Sequence, residues 1–108
     1  MHHGMRGQTH YYGEVNMAVK NKMFQPGAIL HEVIAGTFRA SGTSFEAWCK
    51  ANGVHPSTAK NATYGQSAGD RGRELRQRII EAAGRDVVEM AYRKRMIMEA
   101  EKLQGAAA

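Results

Sequence analysis

The centre of the chain contains the stretch FEAWCKANGVHPSTAKNATY, residues 45–64, in which two short helical patterns flank a tight turn. Asn52 and Gly53 end the first pattern, since glycine readily adopts the positive φ that follows a helix. Pro56 favours the start of the second helix because its φ is already helical. Two short helices joined by three or four residues that include a glycine form a helix-turn-helix. This stretch therefore predicts that motif, with its second helix running from Pro56 to Tyr64.

One further helix is predicted before the motif. Pro26 fits a first helical position, and apolar residues then recur at helical spacing as far as Phe38. Gly42 ends this helix, and Thr43 with Glu46 is typical of a capping box that starts the first helix of the motif. The sequence therefore predicts a helix one that ends directly before the motif.

Two more helices are predicted after the motif. The polar, glycine-containing residues 66–72 indicate a loop, and a fourth helix follows from Asp70 or Arg71 to Gly84. Asp86 can cap a fifth helix, which carries a broad, methionine-rich apolar stripe. The fold class predicted is all-α, a compact bundle of about five short helices.

The pattern divides the chain into three parts. Residues 1–24 show no sustained period and are expected to form a flexible N-terminal arm, and Met17 or Met23 is an alternative natural start. Residues 25–84 form the helix-turn-helix domain, and residues 85–108 form a C-terminal helix that serves as a dimerisation element. Three histidines of the arm lack Cys or acidic partners at a metal-ligand spacing, so no metal site is expected: His2, His3 and His10.

Length and composition narrow the class of protein. A chain of 108 residues fits one compact domain, and its one cysteine, Cys49, cannot form an internal disulfide and fits a small core position. No apolar run approaches the roughly 18 residues of a membrane span, and the first residues lack a secretory signal, so we expect a cytoplasmic protein. The net charge of +5 favours phosphate backbones as partners, and membranes and acidic proteins are alternative partners of basic domains.

The second helix of the motif has one polar face. Its members recur at i, i+3, i+4 and i+7 and therefore point the same way: Ser57, Lys60, Asn61 and Tyr64. Asparagine can pair with adenine, lysine can donate to guanine, and serine or tyrosine can reach a phosphate. Ala59 and Ala62 face inward and bury little area, so core filling alone does not explain this composition. The alternative is a solvated polar face without a ligand.

The stretch from Ser44 to Ala59 resembles the helix-turn-helix of the phage repressor and Cro superfamily, and it is similar to the Ner-like phage regulators. The resemblance implies a lambda-repressor-like arrangement, in which the motif's second helix enters the major groove of double-stranded DNA as part of a dimer. The turn glycine of that family falls on Gly53. Its groove-reading positions fall on five residues in or just before the second helix: His55, Ser57, Thr58, Lys60 and Asn61.

The fourth helix carries several arginines beside the motif. Arg71 and Arg73 lie at its start and are predicted to contact the DNA backbone, and Arg76 and Arg78 fit that role less well. A solvated face whose arginines pair with Glu74 and Glu81 is the alternative.

The fifth helix predicts an oligomer. Its apolar stripe is wider than one small core can cover and is interrupted by the basic residues 93–95. Its large apolar members are Met90, Ile97, Met98 and Leu103. The core, the arm or a second subunit must cover them, and a homodimer does so most simply.

The function predicted is that of a sequence-specific transcription regulator of phage or bacterial type, with RNA polymerase as a further partner. The alternative is a DNA-packaging or partner-docking assembly protein that uses the same scaffold. No nucleophile with a base, no paired carboxylates and no phosphate-binding glycine motif occur, so we expect neither an enzyme nor a cofactor. His31 and Glu32 are expected at the surface of helix one.

Overall fold

The computed structural model describes residues 24–67 and 69–107, and this part of the chain forms five α-helices and no strand. The helices are α1 (Ala28–Ala40), α2 (Phe45–Ala51), α3 (Pro56–Tyr64), α4 (Asp70–Ala83) and α5 (Arg85–Ala107). The prediction of an all-α fold with about five helices is confirmed. Within these residues no helix is both long and apolar enough to cross a membrane.

Helix α1 is the centre of the bundle, because it packs against each of the other four helices. The core is formed by large side chains from all helices except α3: Leu30, Ile34, Phe38, Phe45, Ile79, Ile80, Val88 and Tyr92. Helix α3 contributes only small residues to the interior, Ala59, Ala62 and Thr63. The predicted inward position of both alanines is confirmed.

The core extends one residue into the segment predicted as the arm. Phe24 is 3% exposed, and its ring packs edge-on against Tyr92 with 5.5 Å between centroids. The next residue, Gln25, donates its backbone N–H to the Tyr92 hydroxyl at 3.0 Å. Phe24 thus belongs to the core, because α5 offers it an aromatic partner that local sequence does not reveal. The rest of the predicted arm, including the histidines at 2, 3 and 10, lies outside the described residues.

The starts of three helices differ slightly from the sequence prediction. Helix α1 begins at Ala28 and not at Pro26, because Gly27 has an extended backbone with φ 159° and ψ −171°. Its N–H is donated to the Thr63 carbonyl of α3 at 3.0 Å. Ser44, and not Thr43, caps α2 by accepting the Ala47 N–H at 3.0 Å. Helix α5 begins one residue before Asp86, because the Gly84 carbonyl already accepts the Val88 N–H.

Two glycines fix the ends of the central helix pair. Gly53 follows α2 with φ +67°, and Gly65 follows α3 with φ +82°, a region that other residues rarely adopt. A Cβ on Gly53 would meet no atom within 4 Å, whereas a Cβ on Gly65 would lie 2.8 Å from the Pro26 Cβ. Close contact with the segment before α1 thus adds to the backbone requirement only at Gly65.

The two glycines therefore give a matched pair of substitutions. We expect Gly53→Ala to lower the free energy of unfolding by about 1 kcal/mol, the cost of the left-handed conformation alone. Gly65→Ala should cost at least about twice as much, because Pro26 must also move. Urea denaturation of both variants measures the difference. Equal losses would contradict the proposed role of the Pro26 contact.

Candidate nucleic-acid interface

Helix α3 is held between a cap at its start and a glycine at its end. His55 is the N-cap residue, Pro56 occupies the first turn, and Gly65 closes the helix in the left-handed conformation. The turn before it is fixed by the Val54 N–H, which is donated to the Cys49 carbonyl of α2 at 2.9 Å. The predicted bounds of α3 are confirmed, and its position follows from contacts with α1, α2 and α4.

The four residues of the predicted polar face are all exposed. Together with Gln66 they line one shallow depression of about 270 Å³: Ser57, Lys60, Asn61 and Tyr64. We call these four residues the outer face of α3. No hydrogen bond or ion pair within the described residues uses the side chain of Lys60 or Asn61, so both are available to a ligand. Gln66 was not predicted here, since its loop position gave no periodic signal.

Three of the other predicted residues lie on a second surface. A cleft of about 470 Å³ separates the α2–α3 turn from α4, and we call it the α3–α4 cleft. His55, Thr58 and Arg71 line it, and they are joined by Arg78 and Glu74. Arg73 lines neither surface, and it forms an ion pair with Asp70 on the exposed start of α4. The structure thus divides seven of the eight predicted residues between two adjacent surfaces and places Arg73 outside both.

His55 has a structural role besides any contact with a ligand. Its Nδ1 accepts the backbone N–H of Ser57 at 3.2 Å and lies 2.8 Å from the Ser57 Oγ. This cap satisfies one of the N–H groups that the first turn of α3 leaves without a helical partner. Since Nδ1 is occupied, a contact from His55 to a ligand has to use Nε2.

His31 was expected at the surface, and that expectation was wrong. Its ring is half-buried and lies between two aromatic rings, stacked on Tyr64 at 4.7 Å and edge-on to Phe45 at 4.8 Å. Its Nδ1 lies 2.8 Å from the Thr63 Oγ1. His31 therefore connects α1 to the end of α3. Glu32 is exposed as expected and forms an ion pair with Arg95 of α5 at 2.8 Å.

Two arginines of α4 contact the two helices of the motif. Arg76 donates from Nη1 to the Ala62 carbonyl of α3 at 3.2 Å. The Arg78 guanidinium lies over the Trp48 ring of α2, 5.7 Å from its centroid. Both were assigned weaker backbone roles from sequence, and helical periodicity could not show that Arg76 turns toward α3. Arg71 and Arg73 remain exposed, as a contact with phosphate requires.

Burial lowers the pKa of His31 below its usual value, and the nearby positive charge of Lys60 lowers it further, against weaker opposite effects of Glu46 and Glu32. A histidine with a lowered pKa in the folded state binds its proton more readily when the chain is unfolded. Stability contributed by the neutral ring is therefore complete above pH 6.5 and is lost as the pH falls below that value.

We accordingly expect the melting temperature to fall between pH 7.5 and pH 5.5, and to fall less in His31→Gln, which cannot titrate. Ala40→Gln is the matched control, since Ala40 is exposed on the same helix and the substitution changes no titratable group, so the pH dependence should stay in place. Thermal unfolding followed by circular dichroism measures both. An identical pH dependence in wild type and His31→Gln would contradict this assignment.

Within residues 24–67 and 69–107, no group of three or more His, Cys, Asp or Glu side chains is placed to bind a metal ion. Comparison of the chain with protein-family models, with curated proteins and with solved structures gave no significant match. We therefore infer the function from the geometry and chemistry of α3 and its surroundings.

Proposed function

We propose that the protein is a sequence-specific DNA-binding regulator that reads the major groove with α3. The observation that carries the proposal is the outer face of α3, where Lys60 and Asn61 are exposed on a helix whose other side is anchored. Side chains of these types can form hydrogen bonds with base edges. A helix of nine residues with small inward residues lies close to the bundle and presents its polar side outward.

The α3–α4 cleft supports the proposal because its cations can add to the affinity for DNA. Arg71 and Arg78 lie at this cleft, and the start of α3 adds the positive end of a helix dipole. A DNA strand that passes beside α3 would place its phosphates near these cations. The net charge of +5 acts in the same direction through counterion release. Base contacts and phosphate contacts thus fall on neighbouring surfaces, as specific binding requires.

The direct test is a selection of bound sequences from a random pool of double-stranded DNA. We expect one preferred site whose affinity exceeds that of random DNA by about 10³-fold or more at physiological salt. Salt-sensitive binding without any preferred sequence would contradict the regulator and favour the assembly protein. The proposal also includes regulation through RNA polymerase. Transcription from a promoter that contains the selected site tests this part.

Asn61→Ala and Lys60→Ala test base reading. Each should weaken binding to the selected site by about 1 to 3 kcal/mol, or roughly 5- to 150-fold, with a smaller loss on random DNA. Lys102→Ala, an exposed lysine of α5, is the control that removes the same charge far from α3. Titration by fluorescence anisotropy measures each affinity. Equal losses on both DNAs for Asn61→Ala would count against base reading.

Arg71→Ala and Arg73→Ala test the phosphate contacts. Each should weaken binding to every sequence alike and reduce the slope of log affinity against log salt by about 1. The Asp70 partner of Arg73 is itself exposed, so the ion pair can open when a phosphate is offered. Titrations at four salt concentrations give the slopes. A slope equal to that of the wild type would show that the substituted arginine does not contact phosphate.

A further inference from the structure

The side of α5 that faces away from the bundle exposes large apolar residues. Met90 is 75% exposed, Val87 58%, Ile97 55% and Met98 45%. Lys94 and Glu101 lie among them at helical spacing, and both are exposed. We call these six residues the outer face of α5. Apolar surface that is contiguous and edged by charge marks an interaction site more often than a solvated helix.

Ile97 is the centre of this exposed surface. It lines two grooves that run on either side of it along the helix, of about 570 and 370 Å³. Met90 and Met98 line the first groove, and Met96 and Tyr92 line the second. A ridge between two apolar grooves fits a second helix that crosses at Ile97.

The charges along the outer face of α5 indicate which helix fits. Lys94 lies three residues before Ile97, and Glu101 lies four residues after it, on the same side of the helix. In an antiparallel pair that crosses at Ile97, each Lys94 comes beside Glu101 of the second copy, so two opposite-charge pairs flank an apolar centre. A parallel pair would instead bring the two Lys94 side chains together. Arg93 also lines both grooves and pairs with Glu89 of its own helix, and in the antiparallel direction it too comes near Glu101 of the second copy. The charges of this face therefore favour the antiparallel direction.

We propose that the outer face of α5 binds a second copy of this chain, with the two α5 helices antiparallel and crossing at Ile97. The helix has 23 residues and is about 34 Å long, which gives room for a contact on both sides of the crossing. The ion pairs of Arg95 do not compete with this contact, because they join it to Glu32 of α1 and to Glu99 of its own helix, and neither residue lines the two grooves.

Sedimentation velocity of the full chain without DNA tests the proposal independently of the proposed function. We expect a dimer, twice the chain mass of 11.9 kDa, that dissociates on dilution. Ile97→Glu should raise the dissociation constant by about 100-fold or more, because it buries a charge at the centre of the contact. Ala47→Glu, on the exposed side of α2, is the matched control and should not change it. A wild-type monomer at 200 μM would overturn the proposal.

Charge exchange tests the antiparallel direction. Lys94→Glu and Glu101→Lys should each weaken the dimer by about 10-fold, since each places like charges side by side, and the double exchange should restore it. Lys50→Glu makes the same change of charge on α2 and is the control. Circular dichroism establishes that each variant is folded. A double variant no tighter than the single variants would overturn the antiparallel arrangement, and unchanged single variants would do so too.

Discussion

The contact between the end of α3 and the start of α1 is the constraint on which the candidate interface depends. Three interactions meet there: the Gly27 N–H is donated to the Thr63 carbonyl, His31 lies 2.8 Å from the Thr63 Oγ1, and Gly65 lies against Pro26. Each joins residues more than 30 positions apart in sequence. Because α1 is also the helix against which all others pack, this junction fixes α3 relative to the whole bundle.

A junction of this kind is needed because α3 cannot fix itself. An isolated helix of nine residues is marginal in water, and the alanines of α3 bury little area. Its position has to come from directional contacts at its ends and along its backbone. Arg76 supplies another by donating to the Ala62 carbonyl, and the His55 cap supplies one at the start. These contacts use the inner side and the ends of α3 and leave the middle of the outer face unused.

Sequence reasoning located the elements well and the long-range contacts poorly, for a physical reason. Periodicity, Pro56 and the glycines at 53, 65 and 84 depend on local backbone preferences, so they gave the bounds of α3 and the end of α4. The roles of Phe24, His31 and Arg76 depend on partners 14 to 68 residues away, which no local pattern encodes. His31 could have been suspected from its position one residue after Leu30 on a helix buried on several sides, but nothing local paired it with Thr63.

Helix α3 is fixed in place by some of its residues, whereas other residues on its outer face can be substituted without loss of those contacts. Lys60 and Asn61 take part in no side-chain hydrogen bond within the described residues, whereas Ser57 and Tyr64 are each shared with a structural histidine. A substitution at 60 or 61 therefore changes what α3 offers to a ligand while leaving its anchoring contacts intact. A substitution at 57 or 64 alters the His55 cap or the His31 stack as well. Substitutions at positions 60 and 61 can thus change the contacts offered to a ligand at the lowest cost in stability. This is so because the contacts that fix α3 lie at its ends and on its inner side.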